Sequence, residues 1–266
     1  MQAFDAVADR YAGAAVVQRA AAARLFDLLA IRDGEDVLDL GCGPGHLTRT
    51  IAELTTGEVL GVDSSPAMVA EARRAAPGGR PGFAVGAAEA LGLGDRFDAI
   101  FCNSAFQWFG DPQRALASCH RALRPGGRIA IQAPAGHDYC PKFLRAVACL
   151  LRDERTAPTF RTFRPPWCFL PDAAAYAALA LRAGLDVDTC RMERVVEAQA
   201  PATLWRVFAS GAAAGYLDPA RYGASWPGGY AEAARELILR DFHDQAGADG
   251  TVAVVFHRLY LLAHKP

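Results

Sequence analysis

The sequence lacks three features that mark common classes of protein. It contains no uncharged apolar run of about 18 residues, and a membrane-spanning helix needs about 20, so no membrane span is expected. Its seven cysteines are an odd number without a CxxC pair, which suggests neither a disulfide framework nor a zinc site. Its 28 basic and 29 acidic residues nearly cancel, so a nucleic-acid partner is not expected either.

The remaining composition is that of an ordinary folded protein. Of 266 residues, 52% are hydrophobic and 21% are charged, which suits a single domain over residues 1–266. The amino-terminal segment MQAFDAVADRYAG carries early charges and has no apolar stretch of a secretion signal. We therefore expect a cytoplasmic protein in a reducing compartment, without a bound metal.

Short apolar and β-branched runs alternate with helical patterns along much of the chain. Strands are predicted at 37–40, 59–63, 83–85, 97–102, 128–132, 186–197 and 252–262. Helices are predicted near 14–30, 47–54, 66–73, 112–123, 142–152 and 172–183, with a turn at Pro125-Gly126-Gly127. This alternation predicts an α/β fold with a doubly wound, mostly parallel seven-stranded sheet.

Two segments depart from this alternation. Residues 139–171 and 201–249 are rich in aromatic side chains, among them Trp167, Trp205 and Trp226. They are predicted to be helical cap insertions that form a lid and select the substrate. Residues 1–30 are predicted to be a helical amino-terminal segment.

The most informative segment is a strand that turns through three glycines into a helix, Asp39-Leu40-Gly41-Cys42-Gly43-Pro44-Gly45. Glycine is needed where the backbone adopts unusual angles or touches a ligand closely. Asp63 follows Gly43 by twenty residues, at the end of the next strand, where a carboxylate can accept both hydroxyls of a ribose. The pair predicts an adenosine-type ligand at the carboxyl edge of the sheet.

Two details indicate which ligand this is. A dinucleotide fingerprint reads GxGxxG, but these glycines are spaced GxGxG and His46 stands where the third glycine would be. Asp39 is unfavourable beside a pyrophosphate and favourable beside an ammonium or sulfonium group. An oxidoreductase that uses a nicotinamide dinucleotide is therefore the weaker interpretation.

This loop resembles the first motif of class I S-adenosylmethionine-dependent methyltransferases. The segment from Gly61 to Met68 resembles the second motif, and Ala87-Ala88-Glu89-Ala90-Leu91 resembles the adenine-edge motif, with Ala87 where the family often has Asp. Asn103-Ser104-Ala105-Phe106-Gln107-Trp108 is similar to the branch of trans-aconitate and malonyl-carrier-protein methyltransferases. The resemblance covers residues 1–135 with specific motifs and is looser beyond them.

The resemblance implies S-adenosylmethionine as cofactor and the 1–30 segment lying over it. The implied cofactor-binding residues are Tyr11, Gln18, Asp39, Gly41, Cys42, Gly43, Asp63, Ser64, Met68, Ala88, Glu89, Asn103 and Ser104. The candidate substrate-binding residues are Gln107, Trp108, Arg161 and Arg164.

Structural interpretations of the same residues stay open. Asp63 could cap the next helix, Asp39 could serve neighbouring N–H groups, and Cys42 fits a buried, inert thiol. Trp108 could be packing, and the two arginines could belong to a solvated charged face.

The implied function is methyl transfer to a small organic molecule, most simply to an oxygen of a carboxylate or a hydroxyl. Methylation of carbon or nitrogen in a natural-product intermediate is an alternative, as is a protein of this fold that catalyses a step other than methylation. No catalytic residue can be chosen, because an activated methyl group needs positioning more than a nucleophile. The oligomeric state cannot be inferred from the sequence.

Overall fold

The computed structural model describes residues 21–223 and 226–266. The strands are β1 Val37–Leu40, β2 Val59–Asp63, β3 Gly82–Val85, β4 Phe97–Asn103, β5 Leu123–Pro134, β6 Asp186–Gln199 and β7 Val252–His264. The helices are α1 at 21–29, α2 His46–Leu54, α3 Pro66–Ala75, α4 Pro112–Ala122, α5 Pro141–Ala148, α6 Ala157–Phe160, α7 Ala173–Arg182, α8 Pro201–Ala209, α9 Ala213–Tyr216 and α10 Tyr230–Asp244. None of the helices in these ranges is long and apolar enough to cross a membrane.

The strands form one open seven-stranded sheet in the order β3-β2-β1-β4-β5-β7-β6. Neighbours from β3 to β5 are parallel, and β7 runs antiparallel to β5. The mostly parallel α/β sheet predicted from the sequence is therefore confirmed.

Both faces of the central strands are buried, which explains why β1 and β4 are almost continuously apolar. Leu38 and Ile100 pack into the larger cluster, which includes side chains of α4 and α7. The neighbouring residues Val37 and Phe101 point to the opposite face and pack with Leu25 of α1. Successive side chains thus point alternately into two cores, one on each face of the sheet, as strand geometry requires.

The prediction for the fifth strand was wrong at its beginning. A turn at Pro125-Gly126-Gly127 was expected to precede a strand beginning at Arg128, but β5 begins at Leu123 and runs through these residues. Leu123 pairs with Phe97, and the register shifts by a bulge before Ala99 pairs with Arg128. Pairing to a distant strand outweighs the local turn signal.

The predicted helix at 142–152 is also shorter than expected. It ends at Ala148 and continues as a 3₁₀ turn over Cys149–Leu151.

Charged side chains pair at the amino ends of the parallel strands. The guanidinium of Arg124 donates to Asp36 Oδ2 at 2.7 Å and to Asp98 Oδ2 at 2.6 Å. The main-chain N–H of Asp36 also donates to Asp98, at 2.8 Å. These bonds join the starts of β1, β4 and β5.

The described residues divide into two compact units. The sheet unit comprises 21–137, 168–193 and 258–266, and the aromatic unit comprises 138–167, 194–223 and 226–257. The predicted single domain, the caps at 139–171 and 201–249 and the segment over 1–30 stay predictions. Residues 1–20, with Tyr11 and Gln18, lie outside the described residues.

Ring-to-ring contacts hold the aromatic unit together. The Phe143 ring centroid lies 5.1 Å from that of Phe208, with the rings edge to face. The Trp167 and Tyr216 centroids lie 4.8 Å apart. A Cβ atom on Gly215 would lie 2.2 Å from the indole of Trp167, so this indole packs directly on the glycine backbone. Only glycine leaves room for it.

We expect Arg128 to be important for the stability of the sheet unit. Its guanidinium donates to both carboxylate oxygens of Glu35 at 2.8 Å, and to the carbonyl oxygens of Leu29 and Ala30 at 2.7 Å, at the carboxyl end of α1. Arg128→Ala would leave these partly buried oxygens without their cation and should lower the free energy of unfolding by about 3 kcal/mol.

Urea denaturation followed by circular dichroism measures this loss. The control is Arg96→Ala, because Arg96 pairs with Glu58 with both side chains well exposed, at 39% and 45%. That change should cost less than about 1 kcal/mol. Equal losses in the two variants would contradict a special role for Arg128.

Candidate functional site

A glycine loop at the carboxyl end of β1 is the centre of the candidate site. The N–H groups of Gly41 and Cys42 both donate to the carbonyl oxygen of Val62, at 2.7 and 3.1 Å, which fixes the loop to the end of β2. Gly41 has φ of +76° and a Cβ there would lie 2.2 Å from that of Ala105. A side chain at this position is therefore excluded by geometry and by space.

Gly43 differs from Gly41 in what surrounds it. It also has positive φ, at +53°, but a Cβ there would meet no atom of residues 21–223 and 226–266 within 4 Å. The backbone at Gly43 therefore borders open space, as a loop that a ligand approaches closely should.

The carboxylate of Asp63 connects this loop to the turn after β2. Its Oδ2 accepts the N–H of Gly43 at 2.9 Å, and its Oδ1 accepts the N–H of Ser65 at 2.8 Å. Ser65, rather than Asp63, caps α3 by accepting the N–H of Met68. Each carboxylate oxygen of Asp63 retains a further lone pair that can accept another hydrogen bond.

Asp39 lies at the same edge of the sheet and is more deeply buried than Asp63. The side chain is 3% exposed, and its Oδ2 accepts the hydroxyl of Thr48 on α2 at 2.6 Å. Burial raises the pKa of Asp39 from 3.8 to about 7, although the Thr48 hydrogen bond opposes the shift. Near neutral pH this carboxyl group can take or lose a proton.

Cys42 is buried within the loop. Burial and the neighbouring carboxylates of Asp39 and Asp63 raise the pKa of its thiol well above the usual value. The thiolate is the reactive form of cysteine, so this environment favours an inert side chain.

The remaining cofactor candidates of the second motif and of the adenine-edge motif lie after β2 and in a short turn. Ser64 is exposed after β2, and Met68 is exposed in the first turn of α3. Ala88 is buried at the start of a 3₁₀ turn. The carboxylate of Glu89 accepts the N–H of Gly110 at 2.9 Å, so it also anchors the loop before α4.

An amide network joins the ends of β4 and β5. Both ends of the Gln132 amide have hydrogen-bond partners in one orientation, in which its nitrogen donates to Asn103 Oδ1 at 2.9 Å and to Ser104 Oγ at 3.0 Å. Its oxygen then accepts from Arg258 Nη1 at 3.2 Å. Gln132 is fully buried, so this network holds Asn103 and Ser104 in fixed positions.

Gln107 and Trp108 follow in a 3₁₀ turn after β4. Gln107 is buried and Trp108 is partly buried. The side-chain nitrogen of Gln107 donates to the carbonyl oxygen of Ser104 at 2.9 Å. The structure thus places both residues just beyond the carboxyl end of β4, where open α/β sheets bind ligands.

Arg161 and Arg164 lie in the aromatic unit, and both are exposed. The rings beside them are more buried, and Phe160 stacks on Phe163 with centroids 5.6 Å apart. Arginines and aromatic rings alternate in the sequence, but in the structure the rings pack together and the arginine side chains are exposed.

Two residues of this edge were missed from the sequence. Thr48 holds Asp39, and Gln132 holds Asn103 and Ser104. Gln132 gave a usable signal, because it is a polar residue in the apolar run Ile129-Ala130-Ile131. Thr48 gave none, because a threonine in the first turn of a helix is ordinary.

Comparison with known proteins identifies the family. The sequence profile of a methyltransferase domain matches residues 38–131. Trans-aconitate 2-methyltransferase of Streptomyces avermitilis is 32% identical over 243 residues, which cover 88% of this chain and 86% of that protein.

Two further relatives match over a shorter region. Trans-aconitate 2-methyltransferase of Deinococcus radiodurans is 40% identical over 46% of each chain. Malonyl-[acyl-carrier protein] O-methyltransferase of Methylococcus capsulatus is 42% identical over 48% of each chain. The chain thus spans about half the length of these two proteins.

Among solved structures, the YcgJ protein of Bacillus subtilis matches with a TM-score of 0.63 and 18% identity, over 93% of this chain and 98% of that one. At that identity the likeness concerns the fold alone. The relative that matches most of the chain and the geometry of the glycine loop agree: the chain belongs to the class I S-adenosylmethionine-dependent methyltransferases.

Proposed function

We propose that this protein transfers a methyl group from S-adenosylmethionine to an oxygen atom of a small organic molecule. The observation that carries the proposal is the edge formed by Gly43, Asp63 and Asp39. It combines an open glycine backbone with two carboxylates in different environments.

The residues of this edge fit the cofactor. The lone pairs that Asp63 retains would accept the ribose hydroxyls, while its bonds to Gly43 and Ser65 hold the carboxylate in position. The open side of Gly43 would let the cofactor approach the backbone. Ser64, Met68, Ala88 and Glu89 are the proposed surroundings of the adenine.

Asp39 suits the positively charged end of the cofactor. A carboxylate that is 3% exposed gains strongly from a nearby cation, because little water screens the attraction. Asn103, Ser104 and the backbone of Gly41 and Cys42 complete the proposed cofactor contacts in the described part of the chain. Tyr11 and Gln18 keep their proposed roles outside it.

The sulfonium of the cofactor supplies an already activated methyl group. The residues of the protein therefore have to orient the acceptor and exclude water, effects worth up to roughly 7 to 11 kcal/mol when geometry is good. Among the described residues, we assign none as a nucleophile.

The name of one relative supports oxygen as the methylated atom. One relative is named as an O-methyltransferase of a malonyl carrier protein, and the others as methyltransferases of trans-aconitate. Arg161 and Arg164 remain the proposed contacts for an acidic group of the acceptor. Because both are exposed, their attraction would be screened by salt.

Asp63→Ala should weaken the binding of S-adenosylmethionine at least about tenfold. The change removes two charge-assisted hydrogen bonds to ribose, each worth roughly 1.5 to 3 kcal/mol, and loosens the loop at Gly43. Isothermal titration calorimetry measures the affinity, and NAD should give no saturable signal with the parent protein.

Asp95→Asn is the matched control for this prediction. Asp95 is exposed and pairs with Lys265 near the amino end of β4, so its loss should leave cofactor affinity unchanged. An Asp63→Ala variant that binds like the parent would refute the proposed ribose contact.

Cofactor affinity should depend on pH through Asp39. The pKa of its carboxyl group is raised to about 7, so in the free protein it is mostly protonated at pH 5 and ionised above pH 7. Only the ionised form attracts a cation, so affinity should rise by up to about tenfold per pH unit between pH 5 and 7 and then level off. The amino group of the cofactor, with a pKa near 8, stays charged over this range.

Calorimetry at several pH values tests this dependence with two variants. Asp39→Asn should bind more weakly and show no rise with pH. Thr48→Val removes the hydrogen bond that favours ionisation and should move the rise to higher pH. Identical pH profiles for the parent and Asp39→Asn would exclude Asp39 as the source.

A further inference from the structure

The side-chain oxygen of Gln107 is buried without a partner among the described residues. Gln107 is 6% exposed, and no hydrogen-bond donor within residues 21–223 and 226–266 reaches its Oε1. Buried polar atoms in folded proteins almost always have a partner, and one that lacks it needs a specific explanation. A ligand that supplies a donor is such an explanation.

The orientation of this amide is fixed by its other end. The Nε2 group donates to the carbonyl oxygen of Ser104 at 2.9 Å. Turning the amide over would bring two oxygens together, neither of which can donate. The oxygen is therefore the end that is held ready for a partner.

The surrounding backbone holds Gln107 next to the candidate site. Ala105, two residues earlier, packs against Gly41 so closely that a Cβ on that glycine would overlap it. The main-chain oxygen of Gln107 accepts the N–H of Cys168 at 2.8 Å. The amide thus lies on a fixed turn, within the segment that contacts the glycine loop.

Backbone strain at Ser104 gives independent support for a functional turn. Ser104 has φ of +55°, a left-handed conformation that is unfavourable for a residue other than glycine. Its N–H donates to the main-chain oxygen of Gln132 at 2.7 Å, which holds it there. The carbonyl group that orients Gln107 therefore belongs to a residue kept in a strained conformation.

Resting on the methyl transfer proposed above, we infer that Gln107 Oε1 accepts a hydrogen bond from the reacting group of the acceptor, and that this group is a hydrogen-bond donor, which for transfer to oxygen is a hydroxyl. An ionised carboxylate has no proton to donate and would face the amide oxygen with like partial charge. An amine shares the donor chemistry of a hydroxyl, whereas an ether and a carboxylate do not.

Gln107 would act by selecting and orienting the acceptor. An amide oxygen accepts the O–H hydrogen bond without taking the proton, so it directs a lone pair of the hydroxyl oxygen elsewhere. In the transfer, the hydroxyl oxygen gains the methyl group and sulfur keeps the electron pair of the broken carbon–sulfur bond. The hydroxyl proton passes to bulk water as the methylated product leaves the site. Gln107 is therefore a specificity-determining residue in this proposal.

Binding of simple probes to the protein loaded with S-adenosylhomocysteine tests the inference. The probes are phenol, aniline, anisole and benzoate, with cyclohexanol, cyclohexylamine, methoxycyclohexane and cyclohexanecarboxylate as a second series. Ligand-observed NMR titration should show that the hydroxyl or amine member of at least one series binds about tenfold more tightly than its ether and carboxylate.

Two variants distinguish the loss of this hydrogen bond from a loss of folding. Gln107→Met keeps the length of the side chain but offers only a weak sulfur acceptor, and should abolish the preference while retaining the melting temperature and the affinity for S-adenosylhomocysteine. Gln113→Met is the control, since Gln113 lies on α4 and accepts from Arg182 near the surface. It should keep the full preference.

The outcomes distinguish this inference from the proposed function. Absence of binding of both S-adenosylmethionine and S-adenosylhomocysteine in calorimetry would overturn the proposed function, and this inference with it. Cofactor binding without a preference for hydroxyl or amine, a preference for carboxylate, or a preference that survives in Gln107→Met would overturn the inference alone.

Discussion

Burial of both faces of the parallel strands is the constraint on which the rest of the structure depends. Every residue of β1 is buried, and alternate side chains of β4 enter two different cores. A strand in this position can tolerate polar groups only where it ends. Asp63 and Asn103 are accordingly the last residues of β2 and β4, Asp39 is the last but one of β1, and the loops that follow carry the candidate site.

The two ends of the strands use polar groups in opposite ways. At the amino ends, Arg124 neutralises Asp36 and Asp98, and its guanidinium lowers the pKa of Asp36. At the carboxyl ends, Asp39 has a hydroxyl partner, and no lysine or arginine of the described residues pairs with it. The first arrangement stabilises the fold, and the second leaves a buried carboxyl group for the proposed cofactor contact.

The sequence predicted the sheet well because apolar periodicity reports which faces are buried, and burial here is nearly complete. It failed where distant pairing decides the structure, as at Leu123, which pairs with Phe97 although glycines and a proline follow it. The glycine loop was predictable because the positive φ of Gly41 and Gly43 is a conformation that glycine adopts far more readily than other residues. The partners Thr48 and Gln132 were not predictable, because their roles arise from what folding brings beside them. Alternating rings and arginines likewise could not reveal which would be packed and which exposed.

The contact between Trp167 and Gly215 has a consequence for how the aromatic unit can change over evolution. Gly215 can acquire a side chain only after Trp167 has been replaced by a smaller residue, because the indole occupies that space. The reverse order produces a steric overlap, whereas the permitted order passes through a cavity that a folded chain can survive. Two positions far apart in sequence therefore constrain the order of each other's mutations. The aromatic unit can therefore change if Trp167 is replaced before Gly215, but not if Gly215 is replaced first.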